Sequence, residues 1–288
     1  MSDFEIRPLK TLDEFHAAEE LQRAAWGSAD IDIVPLHIML TIAKNGGVVL
    51  GAFAADQLIG FVYGFVGMTD RADAKLKHTS HQMGVRPEWQ SRGVGYALKV
   101  AQREAVRQQG LRLITWTYDP LESKNAHLNI AKLGAVCNTY ICNYYGELRD
   151  DINLGLATDR FQVDWWIGSQ HVTAHLAQPS ASLAAYLDEG VTILNSVIWN
   201  DQELPACANS IEPLPADRFL VEFPADFQAI KRADNTLAIA WRLHLRSICE
   251  TAFAEGFTVM DYLYETGTRA RSFYVLQKIE SSESSLNA

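Results

Sequence analysis

One stretch limits the fold of this chain more than any other: Val85-Arg86-Pro87-Glu88-Trp89-Gln90-Ser91-Arg92-Gly93-Val94-Gly95-Tyr96-Ala97-Leu98. A β-prone run ends at Val85. Helical periodicity then begins at Val94, with Val94, Ala97, Leu98, Ala101 and Ala105 on one face and Gly110 as the stop. The glycines at 93 and 95 allow a sharp turn from strand to helix. Such a turn leaves backbone N–H groups pointing outward at the positive end of the helix, and Arg92 adds a charged donor beside them. The ligand suited to that arrangement is a diphosphate.

Two common phosphate motifs do not fit. A dinucleotide fingerprint needs a third glycine where the chain has Leu98, and a Walker loop needs Gly-Lys-Ser/Thr where Tyr96 follows Gly95. The flanking pattern is strand and helix in alternation. Strands are expected over residues 4–8, 48–54, 58–67, 78–85, 111–117 and 136–142, and helices over 11–26, 94–109 and 123–133, with a short helix after Pro35. Thr11 and Glu14 form a capping box at the first helix. This order predicts an α/β fold with a partly parallel sheet flanked by helices.

A boundary is expected near residues 170–180, giving a first domain over 1–170 and a smaller α/β domain over 171–288. A strand carrying Trp165 and Trp166 on opposite faces precedes it, and a polar helix over 169–185 follows. Val221-Glu222-Phe223-Pro224-Ala225-Asp226-Phe227-Gln228 echoes Val85 to Gln90, and each is followed by a helix that ends at a glycine, Gly110 or Gly256. The echo predicts a degenerate half-domain that lacks glycine over 229–239 and so cannot cradle a diphosphate.

Charge excludes one class of partner. The formal net charge is −10, with 25 Lys and Arg against 35 Asp and Glu, so a nucleic acid held by phosphate neutralisation is not expected. Cys137, Cys142, Cys207 and Cys249 lack CxxC spacing and read as free thiols, with no metal site. Neither a secretory leader nor a membrane-length apolar run is visible, so the expectation is a cytoplasmic protein with no membrane partner. A homodimer is compatible with all of this.

The loop resembles the coenzyme A loop of the GNAT superfamily of N-acetyltransferases, Gln/Arg-x-x-Gly-x-Gly/Ala, met by Gln90, Gly93 and Gly95. The resemblance extends over residues 4–142. Asn125 to Ala135 is similar to the second motif, and Ile114 to Leu121 is similar to a group of predicted acetyltransferases without assigned substrate. The resemblance implies acetyl-coenzyme A or another acyl-coenzyme A as cosubstrate. Its contacts would be Met83, Gly84 and Val85 on the strand, Gln90, Ser91, Arg92, Gly93, Val94, Gly95, Tyr96 and Ala97 in the loop, and Asn125, whose ordinary role is helix capping. One departure stands out: where the family often has a tyrosine as general acid, this chain has Ile130, and Ala135 replaces an aromatic.

The implied reaction is direct attack of an amine on the thioester in a ternary complex, the amine belonging to a small molecule, amino acid or peptide. His81 is the candidate base, placed by strand alternation on the face of Met83 and Val85, and its ordinary pKa near 6.5 suits the task. A histidine satisfied by the neighbouring hairpin is the plainer explanation. His78, three residues away, faces the other side and cannot share a metal with it. Tyr144 and Tyr145 are candidates for the missing acid. Acceptor contacts are expected from Asp30, Asp32 and His37 in one loop and from Trp116, Tyr118 and Asp119 at the end of a strand. The pair His171 and His175 lacks the glutamate of a zinc-protease helix and reads as surface. A second reading is a non-catalytic module that binds acyl-coenzyme A as a sensor or assembly surface.

Overall fold

A computed structural model of the chain describes residues 3–26, 33–71, 74–146, 156–178, 180–208 and 212–279. The chain separates into two compact units, Met1–Trp116 and Thr117–Ala288. This division falls inside a strand, well before the boundary expected near 170–180.

The first unit contains β1 (Glu5–Pro8), α1 (Leu12–Trp26), α2 (Leu36–Lys44), β2 (Val48–Ala54), β3 (Gln57–Met68), β4 (Leu76–Val85), α3 (Val94–Gln108) and the start of β5 (Leu113–Tyr118). Its sheet runs in sequence order, β1-β2-β3-β4-β5. The first three pairings are antiparallel, and β4 with β5 is parallel because α3 carries the chain across between them. The capping box forms as read: Glu14 N donates to Thr11 Oγ1 at 3.3 Å, and Thr11 N donates to the Glu14 carboxylate at 3.2 Å.

Aromatic and aliphatic residues one turn apart on α1 put Phe15, Ala18 and Leu21 against Phe53, Leu58, Phe61 and Tyr63 of the sheet, joined by Met39 of α2. Each such fully buried large side chain is worth about 1.5–3 kcal/mol. The other face of the sheet receives α3. A Cβ on Gly60 would meet Val94 and Leu98.

The second unit begins with α4 (Ser123–Ala126), which runs into a π-helical turn, His127–Lys132, where a continuous α-helix was expected. It continues with β6 (Val136–Ile141), β7 (Arg160–Trp166), α5 (Gln170–Ala177), α6 (Leu183–Asp188), β8 (Thr192–Ile193), β9 (Ile198–Trp199) and β10 (Pro205–Ala206). Then come β11 (Arg218–Pro224), α7 (Phe227–Ala233), α8 (Asn235–Ala254), β12 (Phe257–Glu265) and β13 (Arg271–Lys278). The single helix expected over 169–185 is two, because Ser169 and Ser182 each cap a separate helix through a side-chain oxygen.

Strands of this unit lie in the order β7-β6-β12-β13-β11-β8, with β9 and β10 paired apart. Here the echoed half departs from expectation. Around α3, β4 and β5 pair directly, whereas β13 lies between β11 and β12 and pairs antiparallel with both. The two strand–helix–strand segments therefore differ in strand order. Trp165 and Trp166 are both buried, and Trp165 Nε1 donates to the Leu133 carbonyl at 2.6 Å.

Candidate acyl-coenzyme A site

The ladder between β4 and β5 covers two residue pairs, His78 with Ile114 and Thr79 with Thr115. Beyond them β4 runs on from Ser80 to Val85, so this length of its β5-side edge is not engaged by β5. Met83, Gly84 and Val85 lie on that free stretch. A short 3₁₀ turn, Pro87–Trp89, follows, and Arg86 ties its start to the hairpin below by donating Nε to the Leu58 carbonyl at 2.8 Å. Gln90 closes the turn, its Nε2 donating to the Val85 carbonyl at 3.2 Å.

Two residues of the loop have left-handed backbones, Ser91 at φ 60° and Gly93 at φ 83°. Gly93 occupies the N-cap of α3 with no side-chain cap, and a Cβ there would meet nothing within 4 Å. The first helical hydrogen bond is Ala97 N to Gly93 O, so the N–H groups of Val94, Gly95 and Tyr96 precede it. Three outward N–H groups at a positive helix end, with exposed Arg92 stacked 5.2 Å over the Trp89 ring, form a cradle for an anion. The residues present therefore fit a diphosphate.

A polar cluster fills the fork where β4 and β5 part. Gln102 Oε1 accepts from Ser80 Oγ at 2.9 Å and from Lys99 Nζ at 3.2 Å. Its amide nitrogen therefore faces His78 Nε2, 3.2 Å away, and the His78 ring proton is left on Nδ1, which has no partner among the described residues. Lys99 Nζ also donates to Ser80 Oγ at 3.0 Å and lies 3.5 Å over the Trp116 ring. Burial holds the Lys99 amine well below its usual pKa. The same burial, with the Lys99 charge behind it, pushes His78 down to about 3.

His81 is displaced from its expected face. Tyr63 pairs with Gln82 and Gly64 with Ser80, so His81 is an extra residue in a bulge. Its ring stacks on Tyr63 with centroids 5.4 Å apart and lies 6.1 Å from Phe65. Gly84 shares that face, since a Cβ there would meet Phe61, Leu21 and Trp26. Met83 and Val85 consequently point the other way. His81 is exposed to solvent, yet the covered side of its ring lowers its pKa by burial alone. Tyr63 Oη stands 3.1 Å from His81 Nδ1.

Of the expected acceptor residues in the first unit, His37 is exposed on the first turn of α2, and Trp116 is occupied on one face by Lys99. Asp30 and Asp32 lie outside the described residues. The loop before α2 is pinned to α1 by buried Gln22, which accepts from Val34 N at 2.8 Å and donates to Val34 O at 3.1 Å. A cavity of about 650 Å³ in this unit lies at the opposite end of α3, by Ala105, Gln108 and Gln109.

In the second unit several expectations change. Tyr118 is buried in the core, its hydroxyl 3.1 Å from that of Tyr274, so it offers no face to an acceptor. The Asp119 carboxylate is held in a two-pronged pair by Arg242. Asn125 is exposed within α4 and does not occupy its N-cap, which is Glu122. Tyr144 and Tyr145 are exposed neighbours in a turn, edge to face with centroids 4.7 Å apart. Ile130 is fully buried. His171 and His175 are half-buried rather than surface residues, with ring centroids 4.2 Å apart and His175 Nε2 3.7 Å from Asp261. Among the described residues no group of three or more His, Cys, Asp or Glu is placed to hold a metal ion. None of the described helices is long and apolar enough to cross a membrane.

Sequence reasoning did not single out Tyr63, Ser80, Lys99 or Gln102. The alternation Phe61, Tyr63, Phe65 was a readable signal for the first. The other three look like any polar residues of a strand and a helix.

No family model matches the chain, and no curated protein does. Solved structures align with part of it. The acetyltransferase of GNAT family from Streptococcus pneumoniae is 18% identical, with TM-score 0.46, over 56% of this chain and 98% of that one. NAA60 of Arabidopsis thaliana, in complex with a bisubstrate analogue, is 14% identical, with TM-score 0.47, over 57% and 97%. The ribosomal-protein-S18-alanine N-acetyltransferase of Escherichia coli is 16% identical, with TM-score 0.43, over 57% and 94%. At such identities and scores the likeness carries no inference about activity. Over somewhat more than half of its length, the chain is similar to acetyltransferases of the GNAT family.

Proposed function

We propose that the chain is a GNAT-superfamily N-acyltransferase that moves an acetyl or related acyl group from coenzyme A to an amine of a small molecule, amino acid or peptide, with the site in residues 1–170. The observation that carries this reading is the pairing of a free β4 edge with an uncapped α3 N-terminus whose cap is left-handed Gly93. In it the N–H groups of Val94 to Tyr96 and the Arg92 guanidinium take the diphosphate, and backbone groups of Met83 to Val85 take the pantetheine arm. The amine attacks the thioester carbon, its C–N bond forming as the C–S bond breaks. His81 Nε2 takes the amine proton, directly or through water. The thiol's ordinary pKa near 8.5 lets it leave as thiolate near neutral pH.

Release of free thiol from acetyl-coenzyme A with a panel of amines tests the activity. For wild type, kcat/KM should rise with pH through one ionisation below the ordinary histidine value of about 6.5, because burial disfavours the protonated ring. His81→Ala should lose most turnover and keep its coenzyme affinity. Coenzyme binding without thiol release from any amine would support the sensor reading, for which buried Ile130 in place of an acid speaks. Absence of coenzyme binding would sink both.

A further inference from the structure

The aromatic face of β3 meets the bulge of β4 at one hydrogen bond. Phe61 and Tyr63 stack at 6.3 Å with planes 10° apart, and Tyr63 and His81 stack at 5.4 Å with planes 17° apart. Tyr63 is buried, at 2% exposure, so its hydroxyl is fixed in place by packing on both sides of its ring. That hydroxyl lies 3.1 Å from His81 Nδ1, and the other ring nitrogen has no such neighbour among the described residues. An imidazole can accept a proton at Nε2 only if it already carries one at Nδ1.

On the reading of His81 as the base, we infer that Tyr63 is a positioning residue whose Oη accepts a hydrogen bond from Nδ1–H of His81 and so leaves the Nε2 lone pair open to the acceptor amine. The proton count closes without Tyr63 changing its own state. The amine proton moves to Nε2 as the C–N bond forms, and the ring becomes a cation with both nitrogens protonated. The phenol oxygen is then the acceptor for Nδ1–H and spreads the new charge. Burial keeps Tyr63 a neutral phenol, its pKa raised, so it offers lone pairs and no negative charge. No charged group among the described residues shifts the His81 ring, which leaves Tyr63 as the titratable group in contact with it. The opposite direction, with Oη–H donating into Nδ1, would put the ring proton on Nε2 and leave nothing there to accept.

Long-range ¹⁵N–¹H correlation of the His81 ring above its pKa reads the tautomer in the wild-type protein. The expected result is a protonated Nδ1 and a bare Nε2. In Tyr63→Phe, which keeps the stack and loses the oxygen, the tautomers should mix. Its kcat should fall about tenfold to a hundredfold, less than the roughly 10²–10⁴-fold that loss of the base itself would remove. Its KM for acyl-coenzyme A should hold, and the pH midpoint should move lower as the cation loses its acceptor. A bare Nδ1 in wild type, or unchanged kcat and midpoint in Tyr63→Phe, overturns the inference. If His81→Ala is inactive while Tyr63→Phe is normal, only the role of Tyr63 fails. If His81→Ala turns over at the wild-type rate, the base assignment itself fails.

Discussion

Asp119 and Arg242 meet through two hydrogen bonds, Nη1 to Oδ1 at 2.7 Å and Nη2 to Oδ2 at 2.6 Å, with Arg242 only 2% exposed. Removing the carboxylate would strand a buried guanidinium whose Nε already lacks a partner among the described residues. Asp119→Ala should therefore destabilise the second unit by about 3–5 kcal/mol in urea denaturation. Asp119→Leu combined with Arg242→Met should recover most of that loss. A single variant as stable as wild type would show that the pair carries no such weight.

The anion cradle makes a separate prediction. Gly95→Asp sets a carboxylate where the diphosphate would lie, and calorimetry should find no coenzyme binding by a folded protein. Arg92→Ala should weaken binding by about 1.5–3 kcal/mol, the range for one charged hydrogen bond. Undiminished affinity in Gly95→Asp would remove the loop from consideration.

The buried amine of Lys99 links stability to pH. Its folded-state pKa lies well below its unfolded value, so between the depressed value and the ordinary lysine value of about 10.4 the unfolded chain binds more protons. This group's contribution to stability therefore increases as pH rises across that window and is lost as pH falls. Lys99→Met should flatten the dependence, the gap between wild-type and variant melting temperatures shifting in favour of wild type toward alkaline pH. Parallel curves from pH 6 to pH 10 would mean that the amine titrates as though in water.

Gly64 is needed for close approach. A Cβ there would collide with His78 Nε2 and the Thr79 carbonyl. Gly64→Ala should cost about 1–3 kcal/mol of stability, the usual cost of overpacking. Pairing it with His78→Ala should return part of the loss, and equal stability of Gly64→Ala and wild type would contradict the packing described.

Much of the fold could be read from period alone. The strand ending at Val85, the helix from Val94 and the box of Thr11 with Glu14 lie where local pattern puts them, because each is specified by neighbours in sequence. The failures share a cause. A bulge adds a residue without any mark in composition, so counting by twos from Val85 puts His81 on the wrong face. Tyr118 and Asp119 were read as acceptor contacts from the strand end they occupy, but their partners, Tyr274 and Arg242, come from more than a hundred residues downstream, as their separations of 156 and 123 show. The two echoed segments differ in strand order for the same reason: strand, helix and strand recur in sequence, while the choice of neighbour in the sheet is made by β13.

The extra residue in β4 divides the strand into two segments whose alternations are out of phase. Ser80 and Val85, an odd number of steps apart, share a side of the sheet only because His81 intervenes. Deleting His81 is thus not equivalent to truncating it. Truncation leaves every other side chain where it was, whereas deletion exchanges inside for outside along half of the strand. Any graft of this loop and its strand onto another scaffold must carry the added residue with it, or the cradle will arrive attached to an inverted surface.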